Sequence, residues 1–398
     1  MHILICAVSS AQRPTGICRH AANLAGALSA RKEVRQVTLL VGRWQAGYFD
    51  LAFRISKSGP KIIPVDVANN AYARNRWYWK GLPRLYHKYR PDIIQLSFPV
   101  PFLRRRFLCP VVVSLHDCYP YDIPGNFGRL RVGFNRLFLE QCLRESDLVV
   151  CSSDFTREQL AAHSAGLPRE KVTRIYQSVA LDPSSFQTPG ALQLGGRPFL
   201  LAVAQHRRNK NIALLIAAFA ELRRRRQWDP AMCLVIVGSS GPETGRLRKL
   251  VRHLSLEESV LFTTALPDPE LCWLYRDCKL LVAPSIVEGF GLPVAEALAC
   301  GSQVLCSDIP VFREVGGARC HYFRLHEPNA VAALADAIDT ALRESKATPR
   351  ALGAFSPSEI AAQHLKVYDG LIRGNRESAE AGRLTPASIP VGDHRVAS

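Results

Sequence analysis

The chain has 398 residues, 47% hydrophobic and 21% charged, which is too long for one ordinary core and too apolar for a disordered polymer. Its 51 Lys and Arg against 34 Asp and Glu leave a formal charge of +17, a field that favours nucleotides, polyanions or an anionic membrane surface. No apolar run reaches the roughly 18 to 20 residues that span a bilayer, the N-terminus lacks the basic start of a signal peptide, and the 12 cysteines show no C-x-x-C spacing, so a cytoplasmic chain with buried free thiols and no zinc site is expected.

In chain order, the first half reads as the buried strands "HILICAV", "QVTLLV", "DIIQLSF", "PVVVSLH" and "DLVVCSS", each followed by a helical pattern. Runs that are apolar throughout imply strands covered on both faces, and intervening helices imply parallel pairing. Gly16, in "RPTGICRH", opens the first helix; its residue type suits a tight βα turn and equally a close approach to a ligand. The stretches "RNRWYWKGLPRLYHKYR" and "PFLRRRF" mix bases with aromatics, either as solvated faces over core aromatics or as a surface for an anionic leaflet. They complete no RNA-binding signature, and no nucleic acid partner is expected. His116 and Asp117 end the fourth strand, where a histidine is either a hydrogen-bonded core residue or a site residue.

Residues 181–198, rich in Pro, Gly and Ser, read as a linker. The second half repeats the alternation with "FLLAVAQ", "CLVIVG", "VLFTTA", "KLLVAPS" and "QVLCSD". The expected fold class is therefore α/β: two doubly wound parallel-sheet, Rossmann-like domains, residues 1–180 and 199–355, facing a cleft. A helix over 356–373 is expected to return to the first domain, and 374–398 to be a disordered tail.

Ligands of such sheets bind at the carboxyl ends of strands, so the loops there carry the candidates. "AQHRRNKN" supplies Arg207, Arg208 and Lys210, a solvated basic loop or a set of cations for a leaving diphosphate. "PSIVEGFGLPVAEALACG" places a strand, a glycine loop and a helix start in the order that receives phosphate, with Gly289 and Gly291 permitting close approach. The spacing puts Pro293 at the first helical position and Glu296 in the first turn, where the helix dipole alone would stabilise a carboxylate. Alternatively, Glu296 binds a ribose diol. Glu288 lies in the loop itself, beyond the reach of that dipole argument. No Asp-x-Asp occurs, and no Walker or complete G-x-G-x-x-G sequence follows a strand.

The stretch "EGFGLPVAEALACGSQVLCSDIPVFREVGG" resembles the signature of family 4 of the retaining glycosyltransferases, which have the GT-B fold, with Glu288 and Glu296 as its Glu-x7-Glu pair. The likeness continues through "PTGICRHAANLAGAL", "VVVSLHD", "FLLAVAQHRRNKNIALLIAAF" and "LVIVGSSG". It implies a nucleotide-sugar donor with no further cofactor and no metal. Glu296 would hold the ribose, and Glu288 the transferred sugar. The backbone of Phe290, Gly291 and Leu292 would lie beside the sugar and diphosphate. Lys210, with Arg207 or Arg208, would neutralise the diphosphate, Gly16 would approach it, and His116 would position the sugar or acceptor, with Asp117 facing the acceptor. The acceptor would be a glycan or a lipid-linked acceptor, and the basic, aromatic stretches would let the cytoplasmic chain sit peripherally on the inner membrane face. A sugar-nucleotide epimerase, a phosphorylase or a non-catalytic membrane-binding relative shares most of these features.

Overall fold

A computed structural model describes residues 1–383 apart from 12–14, 54–58, 123–128, 165, 183, 191, 226–228, 265 and 345–352. The first domain runs β1 (His2–Cys6), α1 (Gly16–Ser29), β2 (Gln36–Gly42), α2 (Ala46–Phe53), β3 (Lys61–Val65), α3 (Ala71–Tyr89), β4 (Ile93–Leu96), β5 (Val111–Leu115), α4 (Tyr119–Asp122), α5 (Arg129–Glu145), β6 (Leu148–Cys151), α6 (Asp154–His163) and β7 (Val172–Arg174). The second runs β8 (Phe199–Val203), α7 (Ile212–Arg224), β9 (Cys233–Val237), α8 (Thr244–His253), β10 (Val260–Thr263), α9 (Asp268–Asp277), β11 (Leu280–Ala283), α10 (Leu292–Ala299), β12 (Val304–Ser307), α11 (Pro310–Gly316), β13 (His321–Phe323) and α12 (Ala330–Arg343). The sheet orders are β3-β2-β1-β4-β5-β6-β7 and β10-β9-β8-β11-β12-β13, with every neighbour pair parallel.

Alternation along the central strands feeds two core layers in each domain. Ile3 and Ile5 of β1 pack with Leu24 and Leu28 of α1, while Leu4 and Cys6 face Tyr78 and Leu82 of α3. In the second domain Leu201 and Leu281 join Tyr275 and Val294 on one face, and Leu200 and Leu280 join Leu215 and Phe219 on the other. All twelve cysteines are free and buried, as small apolar side chains of these layers. Within the 181–198 segment, Leu181 and Leu194 are packed into the second domain's core.

Three strands escape the sequence reading, and two of them, β3 and β7, bound the first sheet. "KIIPV", "VTR" and "HYF" are short or half-exposed, so continuous hydrophobicity does not mark them. Pro64 of β3 is tolerated at an edge, where one side of the ladder is unpaired.

After the second domain the chain enters α13 (Pro357–Arg383), whose Ile360, Ala361, Leu365 and Tyr368 join the first domain's core. Tyr368 donates its hydroxyl to Gln95 Oε1 at 2.7 Å. The helix corrects the expected boundary: residues 374–383, assigned to the tail, are helical. The Ala, Glu and Arg of "GNRESAEAGR" are strong helix formers and outweigh Gly374 and Gly382. Residues 384–398, the rest of that tail, lie outside the described residues.

Where α13 and α1 meet the sheet, His364 and His20 are fully enclosed. His364 Nδ1 donates to the Ile360 carbonyl at 2.9 Å, and His20 Nε2 lies 3.2 Å from Ser114 Oγ. Burial holds the His20 pKa well below the imidazole value and that of His364 down to about 4. A folded pKa below the unfolded value of about 6.5 means that the unfolded chain binds more protons in acid. The associated stability is therefore complete above pH 6.5 and is lost as the pH falls from 6.5 towards 4. For His364 alone the loss approaches about 3 kcal/mol. Denaturant unfolding at pH 7 and pH 4.5 checks this: His364→Phe is expected to lose about 2 to 3 kcal/mol less than the wild type between the two.

Candidate active site

The strand order reverses once in each sheet, between β1 and β4 and between β8 and β11, and such reversals open crevices at the carboxyl ends. Lys210 lies in the loop after β8 and Glu288 in the loop after β11, so they face each other across the second crevice. Lys210 Nζ is 2.5 Å from Glu288 Oε1, which also accepts from Ser285 Oγ at 2.8 Å. Glu288 is buried, with this cation and hydroxyl as its partners.

Gly291 caps the start of α10 with φ +89°, a conformation that favours glycine, and a Cβ there would lie 2.6 Å from the Phe312 ring. The helix begins at Leu292, so Pro293 is its second residue and Glu296 its fifth. This corrects the sequence reading, because Glu296 lies beyond the first turn and the helix dipole no longer accounts for it. It is 3% exposed and held by other means. Tyr275 donates to Oε2 at 2.9 Å, and Arg19 Nη1, from α1 across the cleft, donates to Oε1 at 3.2 Å. The other amino group of Arg19 is paired with Asp268. Burial pushes the Glu296 carboxyl up from the usual carboxylate range, while Arg19 and Tyr275 pull it back.

The two domains close on the glycine loop. The Gly289 carbonyl accepts from Ser152, Ser153 and Thr156 hydroxyls at 3.0, 2.7 and 3.1 Å, all from the first domain. A Cβ on Gly289 would fall 1.6 Å from the His116 carbonyl oxygen. The Glu314 carboxylate, on α11, accepts from the Asp154 and Phe155 amides at 2.7 and 3.2 Å and so caps α6 from the other domain. His116 itself donates from Nε2 to the Ser97 carbonyl at 2.7 Å, because a carbonyl only accepts, which leaves Nδ1 to accept from Gln177 Nε2 at 3.1 Å. Burial lowers the His116 pKa, in keeping with this neutral tautomer. Both ring nitrogens are engaged within the protein.

Two family profiles match consecutive parts of the chain: "Glycosyltransferase Family 4" over residues 14–182 and "Glycosyl transferases group 1" over residues 187–355. The chain belongs to the family 4 glycosyltransferases. This GT-B glycosyltransferase is 28% identical over 301 residues to the O-antigen chain mannosyltransferase RfbU of Salmonella typhimurium, covering 72% of this chain and 78% of that one. It is 26% identical over 316 residues to the O-antigen chain mannosyltransferase B of Escherichia coli, covering 76% and 81%. Among solved structures, the Anabaena protein HepE in complex with UDP and glucose aligns over 96% of this chain and all of its own, with a TM-score of 0.62 and 20% identity. WaaG, a glycosyltransferase involved in lipopolysaccharide biosynthesis, aligns over 95% and 99%, with a TM-score of 0.66 and 18% identity.

The remaining candidates of the glycosyltransferase are placed less evenly. Arg207 is half-buried, with Nε donating to Gln205 Oε1 at 2.7 Å, and lies within electrostatic reach of Tyr119. Arg208 is exposed. Gly16 is the exposed first residue of α1, and the preceding residues 12–14 lie outside the described residues. Asp117 accepts the Tyr119 amide at 3.2 Å. Leu292 is buried, and the Phe290 ring packs with Tyr176 and Phe355, so only their backbones are available to a ligand. Sequence reasoning missed Arg19, Tyr275, Ser285, Gln177 and Asn209, whose amide donates to the Tyr119 hydroxyl at 2.7 Å across the cleft. Arg19 carried a signal: a cation in the first turn of a helix opposes the dipole and calls for a carboxylate partner.

Proposed function

We propose that the chain is a retaining glycosyltransferase that moves a hexose-type residue from a nucleotide-sugar donor to a glycan or lipid-linked acceptor during envelope polysaccharide assembly. Mannose is the first sugar to try, given the names of the two O-antigen relatives. The observation that carries the reading is the Lys210–Glu288 pair at the β8/β11 crevice, set in front of the start of α10. In this reading Glu296 and the α10 amides take the ribose and diphosphate, Glu288 takes sugar hydroxyls, and Lys210 with Arg207 neutralises the leaving charge without a metal.

The reacting bond lies between the anomeric carbon and the diphosphate oxygen, which departs with the electron pair. The acceptor hydroxyl attacks from the face the diphosphate leaves and passes its proton to the departing phosphate oxygen. Glu288, already bound by Lys210 and Ser285, serves as a positioning carboxylate rather than a nucleophile. His116, with both ring nitrogens bonded within the protein, acts as a neutral support behind the glycine loop rather than as a polar contact to the sugar.

The acceptor side of the reading rests on the first domain's surface. Of the seven large hydrophobic side chains exposed among the described residues, five belong to it: Tyr72, Trp79, Leu108, Phe134 and Leu137. Arg106 donates to the Trp79 backbone carbonyl at 3.1 Å, which brings a cation to the helix that carries Tyr72 and Trp79, a composition suited to an anionic membrane face. No helix among the described residues is long and apolar enough to cross a membrane. Incubating the protein with GDP-mannose, UDP-glucose or ADP-glucose and a membrane extract, and reading the product's anomeric coupling by NMR, tests the proposal. The donor's own anomeric configuration is expected in the product; an inverted product, or transfer unaffected by Glu288→Gln, would sink it.

A further inference from the structure

Nothing in the first domain would be needed if the second domain's carboxylate recognised a nucleoside alone. Yet Glu296, only 3% exposed, has a single cation against it among the described residues, and that cation arrives from α1 of the other domain. Arg19 is itself mostly enclosed and splits its guanidinium between Glu296 and the exposed Asp268 at the start of α9. We infer that Arg19 is a positioning residue of the donor site, completing the nucleoside-binding carboxylate from the opposite domain, so that nucleoside recognition and cleft closure are one event. The inference rests on the donor reading above and adds to it a residue and a coupling.

The electrostatics follow from the surroundings. The groups facing Glu296 are Arg19 from α1, Tyr48 from α2, Tyr275, Asp268 and Cys272 from α9, and Cys300 at the end of its own helix. Arg19 alone among them carries positive charge. A diol binds a carboxylate by donating two O–H groups, which a protonated carboxyl accepts poorly. Removing Arg19 leaves burial and Asp268 both opposing ionisation, so Glu296 takes up a proton at higher pH than in the wild type. Opening the cleft takes Arg19 away from Glu296, since the two sit on different domains. Arg19 can remain on Asp268 while a ribose shares Glu296, since each carboxylate oxygen accepts more than one hydrogen bond.

The test is calorimetric binding of GDP, UDP and ADP between pH 6 and 9 to the full chain and to Arg19→Gln, Arg19→Lys and Glu296→Gln, each shown folded by circular dichroism. Arg19→Gln is expected to weaken the bound nucleotide at least about tenfold at pH 7 and to move the acid limb of its binding curve up by about one pH unit or more. Arg19→Lys, which keeps the charge, is expected to recover most of the affinity and the wild-type pH profile. Equal binding by Arg19→Gln and wild type at every pH, with Glu296→Gln impaired, overturns the role of Arg19 and leaves the donor site standing. Equal losses in both Arg19 variants with no pH shift reduce the residue to packing and overturn it too. A wild type that binds none of the three nucleotides overturns the donor reading and this inference together.

Discussion

Gly289→Ala is expected to lower kcat/KM by about 100-fold or more while leaving both domains folded. The added methyl would stand 1.6 Å from the His116 carbonyl oxygen and 3.2 Å from Asp117 Cβ, and the first of these is backbone that cannot rotate aside. The only relief is for the glycine loop to retreat from β5. That retreat breaks the three hydroxyl contacts to the Gly289 carbonyl and shifts Glu288, the preceding residue, from Lys210. Misplacement of about 1 Å in a site that works by positioning costs rate out of proportion to its size. Steady-state kinetics with small-angle scattering checks the chain of cause: the variant should be slower and more open. A variant as active as wild type would show that the closed arrangement is not the reacting one.

Lys210→Ala is expected to cut kcat by about 100- to 1000-fold, the range seen when a group that stabilises developing charge is removed. Its loss acts twice. On the proposed donor reading the departing diphosphate loses a fixed cation, and Glu288 keeps the Ser285 hydroxyl without Lys210, so the carboxylate that would hold the sugar is freed to move. Lys210→Arg should recover part of the rate, since it restores charge in a different shape. Loss confined to KM, with kcat intact, would make Lys210 a ground-state binding residue.

The central strands, the Glu288 and Lys210 loops and the helix that carries Glu296 are legible in the sequence because each signal is local. A buried parallel strand is an unbroken apolar run, and a loop before a helix carries its glycines within a few residues. What escapes is either weakly patterned or non-local. The edge strands β3 and β7 are partly exposed and lose the apolar run. Tyr275 and Arg19 meet Glu296 from 21 and 277 residues away, and Ser152 reaches Gly289 from 137 residues away. The first turn assigned to Glu296 failed by one residue, because Gly291 in a left-handed conformation starts the helix at Leu292 rather than at Pro293. The small shift weakens the helix-dipole alternative for Glu296, whose partners are Tyr275 and an arginine supplied by the other domain.

On the proposed donor reading a nucleotide sugar occupies the Lys210–Glu288–Glu296 crevice. The most direct measurement is thermal stabilisation of the folded protein by GDP, UDP, ADP and CMP and their sugar conjugates, with Glu296→Ala and Lys210→Ala alongside. Ligand at 100 times its Kd stabilises the native state by about 2.7 kcal/mol, enough for a clear shift in Tm. Nucleotides of one base are expected to raise the wild-type Tm, the sugar conjugate to raise it further, and both variants to lose the shift. Folded wild type unmoved by every nucleotide, or variants stabilised as much as wild type, would contradict it.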